Sequence, residues 1–464
     1  MTVDVQRRET ELGATLQRAR AQARLRGHER IAYRAALALM LAALLGTAVW
    51  NAYKTPSVNG YDAETHQEYA RALIEDDVLP GSTEGSYKPP GFYAVAGYVH
   101  LFGEEYGVED RYKPMLYVNV AFVFLAALLV LALARLLWPA RPWLHVATVA
   151  FFALVPPVLK TTTMYHPGTL GLLLSTAALY LGVRMIVRRS FGLPPSLVLS
   201  AVLLLGVVVQ PHILWTYVAV LLALVAAAFT GYAPRRAALG SVLVILLVTS
   251  VVAAPVYVTQ AIRKGKPVLG LPRPATNLLE SRPASFYTEL GLPDVFTEPY
   301  RPKFINALAP TVYTELWGDY FGIFAWGALT LPEGHVKAEL RQQSGLGLLP
   351  TLLAFAGWLA LLARSLRRRS LARAPAFLAV AVLPLLGLLG FLYYAISYPT
   401  GDGDTIKATF MLTTAPAWAC AFALALGWAL RSRLLRPTIV VFLVGSAVLD
   451  LRFLIVGDPL GGLL

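Results

Sequence analysis

The chain contains little negative charge and almost no cysteine. It has 27 acidic residues against 40 lysines and arginines, and a single cysteine in 464 residues. One cysteine cannot form an intrachain disulfide, and no cluster of Cys and His has the spacing of a metal site. Charged residues make up 14% of the chain, against about 25% in a soluble domain. These shortages exclude a disulfide scaffold and argue against an ordinary soluble domain.

Long apolar runs are abundant instead. The chain is 57% hydrophobic, and runs of about 20 apolar residues can cross a hydrocarbon layer of about 30 Å. The runs are continuous rather than alternating, which predicts helices and not a barrel. We therefore predict an all-α polytopic membrane protein with about 11 transmembrane helices, within a range of 10–12. The predicted spans are residues 31–51, 114–138, 142–159, 167–187, 194–210, 211–230, 238–259, 347–364, 374–395, 407–430 and 437–456. The boundary at Gln210-Pro211-His212 is the least certain, since one long span there would leave ten.

The distribution of charge predicts the orientation. Alternate short loops carry arginine and no acid, as in "RSLRRRSLAR" at 364–373, whereas residues 56–113 carry 11 acids and 4 basic residues. Basic loops stay on the cytoplasmic side of a membrane. The net charge of +13 therefore reports topology and contact with anionic lipid, and no nucleic acid partner is expected.

The same pattern divides the chain into four regions. Residues 1–30 form a basic cytoplasmic segment. Residues 31–259 form a transmembrane module that includes an external loop at 52–113. Residues 260–346 form a second external region, and residues 347–464 form a C-terminal transmembrane region.

The stretch "NGYDAETHQEYARAL" concentrates candidate chemistry at the mouth of the first span. Asp62 could cap the helix that follows, or it could serve as a general base with His66 beside it on the same helical side. Glu64 and Glu68 fall on another side and are expected to face solvent.

Three lysines in the predicted external segments could bind an anion. Lys88 follows Tyr87 and precedes Pro89-Pro90, which can open a helix whose N-terminus favours a phosphate. Lys160 lies in "LKTTTMYHPGTLG" with His166, and Lys407 begins a span from outside. The alternatives are a surface lysine, a histidine that starts a helix, and a lysine that reaches for the headgroups.

The segment "TVYTELWGDYFG" adds Trp317 and Asp319. Aromatic side chains in such a place usually anchor a protein at the membrane surface. They also stack on sugar rings, so both interpretations remain open.

The first external loop resembles that of GT-C superfamily glycosyltransferases. The resemblance rests on Asp62-Ala63-Glu64-Thr65-His66, then "YARALIEDDVLP", then Tyr87-Lys88-Pro89-Pro90-Gly91-Phe92-Tyr93. It is strongest to bacterial relatives of the protein O-mannosyltransferases and of the lipid A aminoarabinose transferase. "IKATFMLTTAPAWA" resembles a late segment of the family, but Thr409 and Phe410 stand where an arginine and a tyrosine are usual. His166 and Gly168 stand near a position where many members carry an acid.

The resemblance implies a GT-C-like fold with two interface helices in the first external loop. It also implies inverting transfer of a sugar from a polyprenyl-phosphate donor to an acceptor hydroxyl on the periplasmic face of a bacterial plasma membrane. The acceptor would be a glycan, a lipid or a protein.

Asp62 would then be the general base, helped by His66, and Lys88, Lys407 and Lys160 would hold the donor phosphate. Tyr87, Tyr93, His166, Trp317 and Asp319 are candidates for the substrate pocket. A divalent metal remains possible, although the acids form no convincing ligand set. The alternative is a transporter or flippase of a lipid-linked or small polar substrate. Acids are nearly absent from the spans, which argues against it.

Overall fold

A computed structural model describes residues 27–76, 88–264, 282–301, 303–304, 306–322, 333–366, 374–397 and 406–456. Within these residues the chain is helical and contains no strand, which confirms the predicted fold class. The helices are α1 (Gly27–Lys54), α2 (Ala63–Ile74), α3 (Gly91–Glu105), α4 (Lys113–Leu137), α5 (Pro142–Leu154), α6 (Pro156–Thr162), α7 (Gly168–Val187), α8 (Leu193–Val209), α9 (Ile213–Phe229), α10 (Arg235–Lys264), α11 (Ala284–Thr288), α12 (Asp294–Thr297), α13 (Leu308–Trp317), α14 (Glu333–Leu366), α15 (Ala374–Ser397), a 3-10 helix (Ala408–Thr414), α16 (Ala415–Ala429) and α17 (Leu435–Leu454).

The predicted spans coincide with apolar helices. In the described part of the chain, seven helices are long and apolar enough to cross a membrane, and the bent pair α5–α6 makes an eighth. Three shorter apolar helices, Leu193–Val209, Ile213–Phe229 and Leu435–Leu449, coincide with the remaining predicted spans. Residues 210–212 separate α8 from α9, so the turn predicted there is present.

Two segments differ from the predicted boundaries. Helix α14 begins at Glu333, well before the predicted start at 347, and spans 34 residues. At about 1.5 Å per residue, such a helix exceeds the thickness of the hydrocarbon layer. The predicted start was too late because polar residues such as Lys337 and Arg341 lower the hydropathy of the first turns. The helix nevertheless continues there, since its backbone hydrogen bonds do not require lipid.

The third predicted span is broken rather than straight. Helices α5 and α6 meet at an angle of 54°, and Pro156-Pro157 open the second of them. Proline lacks the N–H that would continue the ladder, which accounts for the break. The bend carries Lys160 and the turn after it into the interior of the protein, where residues 156–162 are all buried.

Small residues allow the helices to pack closely. At Gly357 of α14 an added Cβ would lie 1.8 Å from the backbone oxygen of Ala421 in α16. Helix backbones approach this closely only where one side chain is missing. One buried core draws most of its residues from α7, α8, α9, α15 and α16, and α4, α5, α10 and α14 also contribute to it.

The polar segments meet at one end of the bundle. The side chain of Asn51, at the end of α1, donates to the backbone oxygen of Leu454 at the end of α17. Lys160 of α6 contacts Glu315 of α13, and His66 of α2 contacts His166 before α7. If successive membrane spans run in alternate directions, these residues all lie at the same end of the bundle. The contacts between them agree with that arrangement.

Candidate functional site

Asp62 stands at the start of α2 in an unusual backbone conformation. Its φ and ψ are 56° and 28°, in the left-handed region, and Arg189 is the only other non-glycine residue with positive φ in the described part of the chain. No side-chain capping hydrogen bond from Asp62 is present among the described residues. The position is thus a helix start, while the carboxylate is directed to other partners.

Helix α2 separates its polar residues as the helical spacing predicts. His66 and Tyr69 are buried, with 0% and 1% exposure, whereas Glu64 and Glu68 are exposed. Of the three acids and the histidine at residues 62–68, only His66 is buried, and the exposed Asp62 differs from Glu64 and Glu68 in contacting two lysines.

Two ammonium groups flank the Asp62 carboxylate. The Nζ atoms of Lys88 and Lys407 lie 3.7 and 3.8 Å from the same oxygen, Oδ2. Lys88 immediately precedes the Pro89-Pro90 pair before α3, and Lys407 precedes the 3-10 helix. The ammonium of Lys407 also lies 4.6 Å from the centre of the Tyr61 ring. The two ammonium groups can bind another anion once one or both of them leave the Asp62 carboxylate.

His66 is held on both of its ring nitrogens. Its Nε2 lies 3.0 Å from Nζ of Lys88, and its Nδ1 lies 2.8 Å from the hydroxyl of Tyr93. An ammonium can only donate, so Nε2 accepts and the proton resides on Nδ1. Burial, and then the neighbouring charge of Lys88, lowers the pKa of His66 well below its usual value. His66 is therefore neutral and orients Lys88.

Two further histidines, His166 and His212, also lie near this site. His166 lies 5.2 Å from His66 between ring centres, and its Nδ1 accepts the backbone N–H of Gly168, which begins α7. Burial lowers the pKa of His166 and takes that of His212 to about 4. The sequence analysis treated His212 only as part of a turn. The Gln210 amide donates to its Nδ1 at 2.8 Å.

A second charged cluster lies in the interior beside the first. Lys160, Glu315 and Asp319 are all at most 2% exposed. Nζ of Lys160 lies 3.7 Å from Oε1 of Glu315 and 3.9 Å from Oδ1 of Asp319. Lys160 also donates to the backbone oxygens of Glu315, at 3.1 Å, and of Gly318. The Tyr61 hydroxyl donates to Glu315, a contact that the sequence gave no signal for.

Two sequence candidates remain, Tyr87 and Trp317. Tyr87 is outside the described residues. Trp317 packs its ring over Gly347 and donates its indole N–H to Thr351 at 2.7 Å, so its described contacts fasten α13 to α14.

These features define a polytopic all-α protein with a cationic site around one carboxylate, at the end of the bundle where the described polar segments meet. The chain is similar to an archaeal oligosaccharyltransferase from Archaeoglobus fulgidus. Its apo crystal structure gives a TM-score of 0.55 at 13% identity, over 92% of this chain and 56% of that chain. The same enzyme, AglB, with an inhibitory peptide and a dolichol-phosphate gives 0.53 at 14% identity, over 94% and 57%. A complex with zinc and sulfate gives 0.53 at 14% identity, over 90% and 53%. The chain therefore shares the fold of these oligosaccharyltransferase structures.

The chain spans a little over half the length of these structures. No protein-family model matches it, and no curated protein matches it. At this level of identity the likeness concerns the fold, so the activity has to be argued from the site itself.

Because one of these structures holds zinc, the site can be tested for a divalent metal. Asp62 is the one carboxylate that contacts Lys88 and Lys407 in the described part of the chain, and both ammonium groups would repel a cation. His66 has both nitrogens engaged, and Nδ1 of His166 accepts a backbone N–H. Oxygen-rich or open imidazole ligands are what such a metal requires. As far as the described residues show, Asp62 and its two ammonium neighbours do not fit a metal cation.

One group of three metal-type ligands exists among the described residues, away from Asp62. It consists of Glu75, His100 and Glu104, whose ligand atoms lie within 4.8 Å of one another. Arg111 contacts both carboxylates, at 3.5 and 3.0 Å. The group is therefore accounted for as an ion-pair network between α2, α3 and the start of α4.

Proposed function

We propose that this protein is a membrane glycosyltransferase that moves a sugar from a polyprenyl-phosphate donor to an acceptor hydroxyl. The observation that carries the proposal is the pair of ammonium groups on the Asp62 carboxylate, at the end of a GT-C fold. Such a site combines a proton acceptor with positive charge for a phosphate. Transfer by single displacement with inversion needs one base, rather than the two flanking carboxyl groups of a glycosidase.

Donor binding would change the partners of Asp62. The phosphate oxygens attract Lys88 and Lys407 away from the carboxylate, since charge-assisted bonds to phosphate are strong. Asp62 is then free to accept the proton of the acceptor hydroxyl as that oxygen attacks the anomeric carbon. The bond from the anomeric carbon to the phosphate oxygen breaks, and the polyprenyl phosphate leaves with one more negative charge. The two ammonium groups stabilise that charge as it develops.

The histidines have supporting roles in this proposal. His66 keeps Lys88 directed at Asp62 through its Nε2, and Tyr93 fixes the ring from the other side. His166 and His212 add neutral imidazoles beside the two lysines. Asp62 is thus the sole group assigned to proton transfer.

The membrane setting supports a lipid-linked donor. An archaeal oligosaccharyltransferase of similar fold has a solved structure in complex with a dolichol-phosphate. The arginine-rich loops favour a cytoplasmic position for the opposite end of the bundle. We therefore infer a plasma-membrane protein with a cytoplasmic N-terminus and an outward-facing site, and the family resemblance implies a bacterial membrane. The acceptor is a hydroxyl on a glycan, a lipid or a protein.

The test uses the full-length protein in lipid nanodiscs. Polyprenyl phosphates that carry a hexose or a pentose are supplied with an envelope extract as the source of acceptor, and the release of free polyprenyl phosphate is measured. We expect release by the wild-type protein and none by Asp62→Asn. His66→Ala should retain part of the activity because it only orients Lys88. Glu64→Gln is the matched control, because Glu64 is an exposed carboxylate on the same helix.

Two outcomes would contradict the proposal. One is normal turnover by Asp62→Asn. The other is movement of intact lipid-linked sugar across a vesicle membrane with no cleavage of its phosphate bond, which is the behaviour of a flippase.

A further inference from the structure

Tyr61 connects the two charged clusters. It immediately precedes Asp62 and is 3% exposed. Its ring lies 4.6 Å below the ammonium of Lys407, and its hydroxyl donates to Glu315. The edge of the ring meets Phe321 at 6.0 Å between centres. One side chain thus contacts a cation of the proposed donor site and a buried acid on a distant segment.

Glu315 is itself fixed from the opposite side. It is 0% exposed, and Lys160 contacts both its carboxylate and its backbone oxygen, at 3.7 and 3.1 Å. A buried ion pair removes two charges from water, so its geometry must be satisfied by further polar contacts. Here the Tyr61 hydroxyl and the Gly318 backbone oxygen supply such contacts. Segment 308–319 is therefore fastened to α6.

The orientation of Tyr61 has two consequences for the site. A cation over an aromatic face is attracted to the ring, so a fixed ring gives Lys407 a fixed place. Tyr61 also directly precedes Asp62, whose backbone is in the left-handed conformation. Such a conformation persists only where its surroundings determine it. The hydroxyl contact with Glu315 and the ring contact with Phe321 both hold Tyr61 in this orientation.

We propose that Tyr61, held by Glu315 and Lys160, is a positioning residue that places Lys407 for the donor phosphate. The inference rests on the proposed function, because it assumes that Lys407 binds that phosphate. It assigns Lys160 to the support of the donor site rather than to the phosphate itself. The segment around Glu315 then supports the donor site through Tyr61 and does not contact the donor itself.

The test measures binding of sugar-free decaprenyl phosphate to the full chain in nanodiscs. Tyr61→Leu removes the aromatic face and should weaken binding about 3- to 10-fold, as expected for one lost cation–π contact. Lys407→Met should weaken it more. The double variant should bind no more weakly than Lys407→Met alone, because coupled residues are not additive.

Two controls separate positioning from loss of structure. Tyr61→Phe keeps the ring but loses the contact with Glu315, so we expect an intermediate loss of affinity together with a lower unfolding temperature, because a buried carboxylate loses a hydrogen bond. Tyr257→Phe removes another buried hydroxyl, which donates to Val207 at 2.6 Å, and should leave binding unchanged.

The failures of the two proposals give different results. If Lys407→Met binds the probe as the wild type does, the proposed donor site is wrong, and the positioning role falls with it. If Lys407→Met weakens binding while Tyr61→Leu does not, or while the two losses multiply in the double variant, only the positioning role is overturned.

Discussion

A series of substitutions at Asp62 distinguishes its backbone role from its chemical role. With φ of 56° and ψ of 28°, Asp62 has a conformation that asparagine and glycine also adopt readily. Alanine adopts it at a cost of roughly 1–2 kcal/mol. The variants Asp62→Asn, Asp62→Gly and Asp62→Ala therefore differ in strain while all three lack the carboxylate.

The expected change in stability follows from the contacts of the side chain. The substitution Asp62→Asn removes no capping hydrogen bond, because Asp62 makes none in the described structure. It does lose ion pairs at 3.7 and 3.8 Å on a side chain that is 43% exposed. Solvent screening limits such pairs to about 1 kcal/mol or less in total. Asp62→Asn should unfold close to the wild-type temperature, whereas Asp62→Ala should carry the added cost of the strained backbone.

The expected change in activity has a different order. Loss of a general base lowers the rate by about 10²- to 10⁴-fold, and all three variants lose it. Initial rates of polyprenyl phosphate release, measured beside thermal unfolding in the same detergent, give both quantities. If Asp62→Asn and Asp62→Gly remained active while Asp62→Ala did not, activity would follow backbone strain, and the assignment of a base would be refuted.

Three further predictions concern binding, pH and packing. Lys88→Met should raise the KM for the donor about 10-fold or more, the loss expected for a charged hydrogen bond, and an unchanged KM would exclude it from the phosphate site. Burial raises the pKa of Glu315 to about 6 from an ordinary 4.5, against the opposing charge of Lys160. The contribution of Glu315 to stability is therefore fully present below about pH 4.5 and is lost, by about 2 kcal/mol, as the pH rises through 6. Glu315→Gln should flatten that part of the unfolding profile, and an unchanged slope would contradict the assignment. Gly357→Ala, which places a Cβ 1.8 Å from the oxygen of Ala421, should lower the unfolding temperature, while Gly445→Ala meets nothing within 4 Å and should not.

Part of the site could be predicted from sequence because topology constrains it. Asp62, Lys88 and Lys407 are far apart in the chain, but each lies at the end of a segment that the alternation of spans brings to the same side. A polar residue at such a position either reaches water or meets another polar residue. The candidate set was therefore small, and the structure brings three of its members within 4 Å.

The other part depends on how a loop packs. The sequence placed Lys160 and Asp319 among the candidates for different roles, as phosphate ligand and pocket residue, whereas they lie 3.9 Å apart around Glu315. Nothing in the sequence indicated a role for Tyr61, since tyrosine is common near a membrane surface. No periodicity connects α13 to α6, so their contact could not be inferred from spacing.

The sequence by itself determined the helical class, the approximate spans and the side of the bundle on which each polar segment lies. It did so because lipid leaves the backbone no partner except its own helix, and apolar length then sets each crossing. Only the tertiary structure decided which polar groups pair. Those pairings depend on ångström-scale contacts between distant segments, such as the Lys160 ammonium with Glu315 and the Lys407 ammonium above Tyr61.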